Sequence, residues 1–253
     1  MIACTVAPTN VVHLRRAAAA LCGLLLLQGP LHAAVLIHEY ALRGSLDDSV
    51  GGSPLTAVGG QITQLGYVFA ANQGLSFSSR DFTPANYSVE LSFKFDSNLG
   101  TSKILDFHNL TSDPGLYAKN GRLSFSPAAE SGILDFTPGM DVHVVLTRDG
   151  STNLVTAYVN GQQRFSFYDD ASLASPPGQS NKLNFFIDDS GNGQSSGGTA
   201  NYLRIFNGAL SASEVSALFH GGPPAVVPEP STFGLLAAGL ATAAWHYRRR
   251  RRS

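Results

Sequence analysis

Residues 87–95 read Tyr-Ser-Val-Glu-Leu-Ser-Phe-Lys-Phe. Tyr87, Val89, Leu91, Phe93 and Phe95 alternate with Ser88, Glu90, Ser92 and Lys94, and this period of two predicts a strand with one buried and one wet face. The pattern recurs outward from there. Val142, Val144 and Leu146 alternate with His143, Val145 and Thr147 before an Asp149-Gly150 turn. Residues 154–159 run into Asn160-Gly161 and on into 162–168, a pairing that predicts a hairpin because Asn and Gly tolerate left-handed backbone. Lys119-Asn120-Gly121 separates residues 115–117 from 122–125 in the same way, and 183–187 and 202–206 read as further strands. One helix is signalled. Ser211-Ala212-Ser213-Glu214 is a capping box, followed by Val215, Leu218 and Phe219 on one face. The expected fold class is all-β, an antiparallel β-sandwich or jelly roll with one short C-terminal helix.

The composition agrees. Of 253 residues 14% are charged, against roughly 25% in ordinary soluble domains, and 26 are glycine. A turn-rich β domain fits these figures; a coiled coil, a disordered acidic chain and a nucleic-acid binder do not. The formal charge of -1 conceals a segregation. Arg15 and Arg16 lie near the start and Arg248, Arg249, Arg250, Arg251 and Arg252 at the end. Residues 35–227 keep ten basic and seventeen acidic residues, a formal charge of −7. Basic charge is exiled to the two ends.

Each end reads as an address. After Arg15-Arg16, residues 17–27 are apolar and include Leu24-Leu25-Leu26-Leu27; small residues then surround a cleavage point near Ala33 or Ala34. Residues 1–34 are therefore expected to be a secretory signal peptide. Cys4 and Cys22 both lie in it, so the processed protein would have no disulfide, thiol nucleophile or zinc cluster. At the other end residues 233–247 are apolar, and at about 1.5 Å each they reach roughly 22 Å, short of the ~30 Å hydrocarbon core. Hydropathy leaves a weak anchor and a removable sorting tail both open. Arg248–Arg252 would act as a membrane stop on the cytoplasmic side.

The residues just before this stretch, Val227-Pro228-Glu229-Pro230-Ser231-Thr232, carry a resemblance. With the apolar run and the arginine cluster, residues 228–253 resemble the PEP-CTERM sorting signal of exopolysaccharide-producing Gram-negative bacteria. The resemblance implies export through the inner membrane, transient retention there, and processing near Pro228, Glu229 and Pro230 by an exosortase-type enzyme. The destination would be the cell surface or extracellular matrix. Residues 221–227 read as a linker.

The middle also resembles a family. Leu36-Ile37-His38-Glu39-Tyr40, Gly66-Tyr67-Val68-Phe69, residues 87–95, Gly121-Arg122-Leu123-Ser124-Phe125, residues 143–150, Ala157-Tyr158-Val159-Asn160-Gly161 and residues 202–211 with Glu214 occur in order. Residues 35–220 are thus similar to laminin-G-like, concanavalin A-like jelly-roll domains. Where that family often carries acidic residues before the last strand, this chain has Ala200-Asn201.

Candidate chemistry is sparse. Glucanases of this fold carry a Glu-x-Asp-x-x-Glu strand for retaining hydrolysis, and Glu39, Glu90, Glu130, Glu214 and Glu229 fall in no such pattern. There is no Gly-x-Ser-x-Gly elbow and no His-Glu-x-x-His, so no catalytic residue is assigned and a non-enzyme is expected. Calcium is the ion that an oxygen-rich acidic surface suits, with Asp188, Asp189 and Asn192 of a glycine-rich loop as candidate ligands. Asp47-Asp48 reads as a structural turn and Asp169-Asp170 as a hairpin end. Tyr117, Tyr158, Tyr168 and Phe186 are the aromatics near strand ends that a sugar platform would need. The expectation is an exported surface or matrix protein that works by adhesion or exopolysaccharide association, with a calcium-dependent lectin and a glycan-active enzyme as alternatives.

Overall fold

A computed structural model describes residues 34–177, 181–189 and 193–221. Residues 1–33 of the expected signal peptide, Pro228, Glu229 and Pro230, the apolar tail, the arginine cluster and Asn192 lie outside them. Among the described residues no helix is long and apolar enough to cross a membrane.

In chain order the strands are β1 (Val35–Tyr40), β2 (Thr56–Val58), β3 (Gln61–Thr63), β4 (Gly66–Phe69), β5 (Gly74–Ser78), β6 (Tyr87–Phe95), β7 (Thr101–Asp106) and β8 (Gly115–Lys119). There follow β9 (Arg122–Ser126), β10 (Ala129–Glu130), β11 (Val142–Asp149), β12 (Leu154–Val159), β13 (Gln162–Tyr168), β14 (Lys182–Phe185) and β15 (Gly198–Asn207), then helix α1 (Ala212–Phe219). They form two antiparallel sheets. The eight-stranded one runs β13-β12-β11-β6-β15-β4-β3, with β1 also paired to β15; the seven-stranded one runs β10-β9-β8-β7-β14-β5-β2. The expected sandwich is the observed one.

Local chemistry sets the turns. Asn120 and Gly121 sit at φ 49° and 77°, and Asn160 and Gly161 at 50° and 75°. Two successive left-handed residues make the hairpin turn whose twist suits antiparallel strands, here β8 to β9 and β12 to β13. Between the sheets the inward side chains make one aromatic-rich core that includes Tyr67, Phe93, Phe107, Phe125, Phe185 and Phe186. Each such burial contributes about 1.5–3 kcal/mol before entropy is counted.

One expectation needs correction. The polar residues of β6 are not all wet, since Ser88 and Glu90 are fully buried. Helix α1 explains it. Val215 and Leu218 pack with Val145, Tyr158, Phe206, Leu210 and Ala34 in a second, smaller core on the outside of the eight-stranded sheet. The helix starts where the capping box put it, with Ser211 Oγ accepting from the Glu214 N–H and Glu214 Oε2 accepting from the Ser211 N–H. Ser88 is satisfied beneath it, donating to the Gly208 carbonyl and accepting from the Leu210 N–H, both at 2.8 Å.

Candidate functional site

The outer face of the seven-stranded sheet carries an unusual group. Residues 102–106 read Ser-Lys-Ile-Leu-Asp. The register of β7 against β8 slips between Lys103 and Leu105, a bulge that sends both Ile104 and Leu105 into the core. Lys103, opposite Tyr117, turns outward, and its ammonium lies 4.6 Å from the Tyr117 ring centroid. Loops then fold over it until it is wholly buried. Its Nζ lies 3.9 Å from Asp106 Oδ2, 3.9 Å from Asp188 Oδ1 and 4.0 Å from Asp189 Oδ1, and donates one long hydrogen bond of 3.5 Å to the Asp113 carbonyl.

The carboxylates are themselves anchored. Asp106 Oδ1 accepts from the Leu110 N–H at 2.9 Å and from Asn184 Nδ2 at 3.1 Å. Asp188 Oδ2 accepts from the Gln194 N–H at 3.2 Å, and the Asp188 N–H donates to Asn72 Oδ1. Burial pushes the Asp189 carboxyl above the usual carboxylate range, its hydrogen bond with Asp188 adds to this, and Lys103 works against both. Burial and then the charge of Asp113 raise the Tyr117 phenol well above its ordinary value. Tyr117 Oη donates to the Asp113 carbonyl, which holds the exposed Asp113 over the cluster.

Beside this cluster opens a hollow of about 350 Å³. Tyr117 and Ser124 line it from β8 and β9, Thr101 and Gln194 flank it, and Lys119 and Glu130 close one side as an ion pair at 3.2 Å. Gln194 Oε1 is buried without a hydrogen-bond partner among the described residues. The carboxylates that line it are Asp113, before β8, and Glu130 of β10, while β8 and β9 themselves carry none. What the hollow offers is hydroxyl, amide and charged groups converging from several elements, which is hydrogen-bonding chemistry.

The sequence candidates fare differently. Asp188 and Asp189 do come together, and Asp113 joins them, with ligand oxygens of all three within 4.8 Å of one another. These are the residues that could hold a hard cation. Asp48 is structural, as expected. Burial opposes its ionisation, yet the N–H groups of Glu39, Val50 and Gly52 and the ring of His38 hold its carboxyl below the usual range. Asp169, just after β13, accepts from Arg148 Nε at 3.1 Å and from the Leu173 and Ala174 N–H groups. Of the four aromatics considered for a platform, Tyr117, Tyr158 and Phe186 are buried and only Tyr168, at 71%, is exposed. Sequence reasoning missed Lys103, Asp106 and Asp113. The one available signal was a lysine directly before the apolar pair Ile104-Leu105 of β7.

Comparison with known proteins follows the fold. Residues 69–216 match the family model of the concanavalin A-like lectin/glucanases superfamily, and residues 226–251 match the PEP-CTERM protein-sorting motif. No curated protein matches the chain. Among solved structures, domain 4 of AbnA, a GH43 extracellular arabinanase from Geobacillus stearothermophilus in complex with arabinotriose, is 20% identical over 74% of this chain and 99% of that one, with TM-score 0.53. The botulinum neurotoxin serotype D ligand binding domain in complex with N-acetylneuraminic acid is 14% identical over 74% of this chain and 50% of that one, TM-score 0.58. Trypanosoma rangeli sialidase is 20% identical over 75% and 33%, TM-score 0.57. At these identities the likeness is one of fold alone. This chain spans only half of the neurotoxin fragment and a third of the sialidase.

Proposed function

Because the chain belongs to the concanavalin A-like lectin/glucanase superfamily and carries a PEP-CTERM sorting motif, we propose that it is an exported, exosortase-processed surface or matrix protein that associates with glycan without cleaving it. The single observation that carries this reading is the hollow beside Lys103. Its size is that of a small-ligand site, and its walls suit sugar hydroxyls. Hydroxyls donate to Gln194 Oε1 and the Asp113 carboxylate and accept from Thr101, Ser124 and Lys119. The sugar complexes of the arabinanase domain and the neurotoxin domain support a sugar as the ligand class. Of the two carboxylates that line the hollow, Glu130 is held in an ion pair with Lys119, which supports binding over hydrolysis.

A second reading, the calcium-dependent lectin, is favoured by the spacing of Asp113, Asp188 and Asp189. In that reading these carboxylates share the ion with sugar hydroxyls. Against it, Lys103 already supplies a positive charge beside two of the three.

Full-length protein on a glycan array, with and without chelator, separates the readings. Binding that survives chelation and falls about tenfold in Gln194→Ala, the equivalent of one good hydrogen bond, supports the first. Binding lost with chelator supports the lectin, and new reducing ends would mark an enzyme. No binding in either condition overturns both binding readings. Removing residues 228–253 is expected to abolish sorting, read by cell fractionation; an unchanged distribution would overturn that part.

A further inference from the structure

Four of the exposed large apolar side chains gather at one end of the sandwich, while others, Leu65 at 83% the most exposed of them, stand singly elsewhere. Strand β6 ends at Phe95, and the loop after it, the Asn120-Gly121 turn, the segment 131–141 and the Asn160-Gly161 turn all meet at that end of the sandwich. The Asn120 N–H donates to the Gly100 carbonyl, the Asp135 and Phe136 N–H groups to the Gly121 carbonyl, the Gly139 N–H to the Phe95 carbonyl, and the Asn160 N–H to the His143 carbonyl. These bonded loops hold out Leu99 at 84%, Ile133 at 53%, Leu134 at 68% and Met140 at 63% exposure. At the opposite end, where β13 finishes and Val35 pairs with Asn207, the exposed large apolar side chains are Tyr168 and Val35.

The chain leaves the domain at the apolar end. Strand β15 finishes at the far end, opposite Tyr87, and α1 then runs back over the outer face of the eight-stranded sheet. Phe219 comes to rest against Gly161 and 5.6 Å from the His143 ring. Only a few residues then separate Gly221 from the sorting motif at 226–251. The described part of the domain therefore ends beside the apolar loops, a few residues in sequence before the sorting motif.

We infer that this end of the sandwich, through Leu99, Ile133, Leu134 and Met140, docks on the lipid surface to which the C-terminal segment holds the protein before processing. The inference rests on the proposed export and sorting, and on the transient membrane retention that the sorting motif implies. The driving force is apolar. The nearby cations are already engaged, Lys119 with Glu130, Arg164 with Asp135 and Arg122 with the Ser131 carbonyl. An acidic domain gains nothing from anionic lipid, so the surface is the zwitterionic headgroup–acyl boundary, into which such side chains sink by about 5–10 Å.

The test uses the full chain with Trp245→Phe, which removes its one tryptophan, plus either Leu134→Trp or Tyr168→Trp, in phosphatidylcholine vesicles with brominated acyl chains. Flotation reports anchoring and quenching reports docking. The expected result is flotation of both proteins and about a twofold loss of emission for the reporter at 134 alone, as a ring at that depth would give, unchanged by salt. Adding Leu99→Ser and Ile133→Ser should restore the emission without ending flotation. Flotation with equal or no quenching at the two positions overturns docking while leaving anchoring intact. A concentration-dependent blue shift without quenching overturns it in favour of self-association. Failure to float removes the anchoring reading and the docking with it.

Discussion

On the outside of the eight-stranded sheet, buried Glu90 lies 2.9 Å from His143 Nε2 and accepts from Tyr202 Oη at 3.1 Å and Arg204 Nη1 at 3.4 Å. Arg204 Nε continues to Glu39 at 2.7 Å. On the outside of the seven-stranded sheet, buried Lys103 faces three carboxylates no closer than 3.9 Å. Both faces bury charge, and they do it to opposite ends. The first network uses directed hydrogen bonds to a buried carboxylate. Burial works against Glu39 ionising, yet the bonds from Arg204 and Ser49 still hold its carboxyl below the usual range. The second balances charge through space, and burial keeps Asp189 above that range. A network tied together by direct hydrogen bonds is structural; one held at arm's length beside a hollow is where a ligand's polar groups can improve on what the protein supplies.

Breaking the closed network should cost most. Glu90→Ala strands His143, Tyr202 and Arg204, and urea denaturation is expected to show a loss of about 3–5 kcal/mol, as for one partner removed from a buried pair. A loss near zero would mean that the two faces do not differ as described. The open network should cost less. Lys103→Met leaves Asp106, Asp188 and Asp189 without their cation, for about 1–3 kcal/mol at neutral pH. The sign with pH is definite. Asp189 has a raised folded pKa, so its contribution is fully present below the unfolded value and is lost as pH rises through the folded one. Without Lys103 that value rises further, and the deficit of the variant should shrink as pH falls below neutral. A deficit that grows on acidification would contradict through-space balance. The smallest effect belongs to the helix that seals the first face: Ser211→Ala removes one cap bond, for about 1 kcal/mol, read as a lower thermal midpoint.

Much of the fold was legible because its signals are local. The Asn-Gly pairs at 120–121 and 160–161 carry their left-handed backbone with them, and the capping box marks the first turn of α1 to the residue. The short strands β2, β3 and β5 were not read, because three to five residues give too little alternation to count. The wet face assigned to Glu90 was misread for a different reason. Alternation says that Ser88 and Glu90 share a face, and nothing in residues 87–95 says that a helix more than a hundred residues later will cover it. The candidate site suffered most. Asp188 and Asp189 stood out as neighbours in a glycine-rich loop, whereas Asp113 and Lys103 became their companions only through the pairing of β7 with β8 and β14.

The sequence by itself therefore determined the strand faces, the hairpins, the helix start and the C-terminal sorting motif, since each depends on residues close to one another in the chain. Tertiary structure alone decided which charges meet. A bulge in β7 turned Lys103 outward, and the loop after β14 brought Asp188 and Asp189 to it beside Asp106 of β7 itself. Period two assigns a side chain to a face, but what lies across from that face is settled by packing, because burial free energy belongs to the contact and not to either residue.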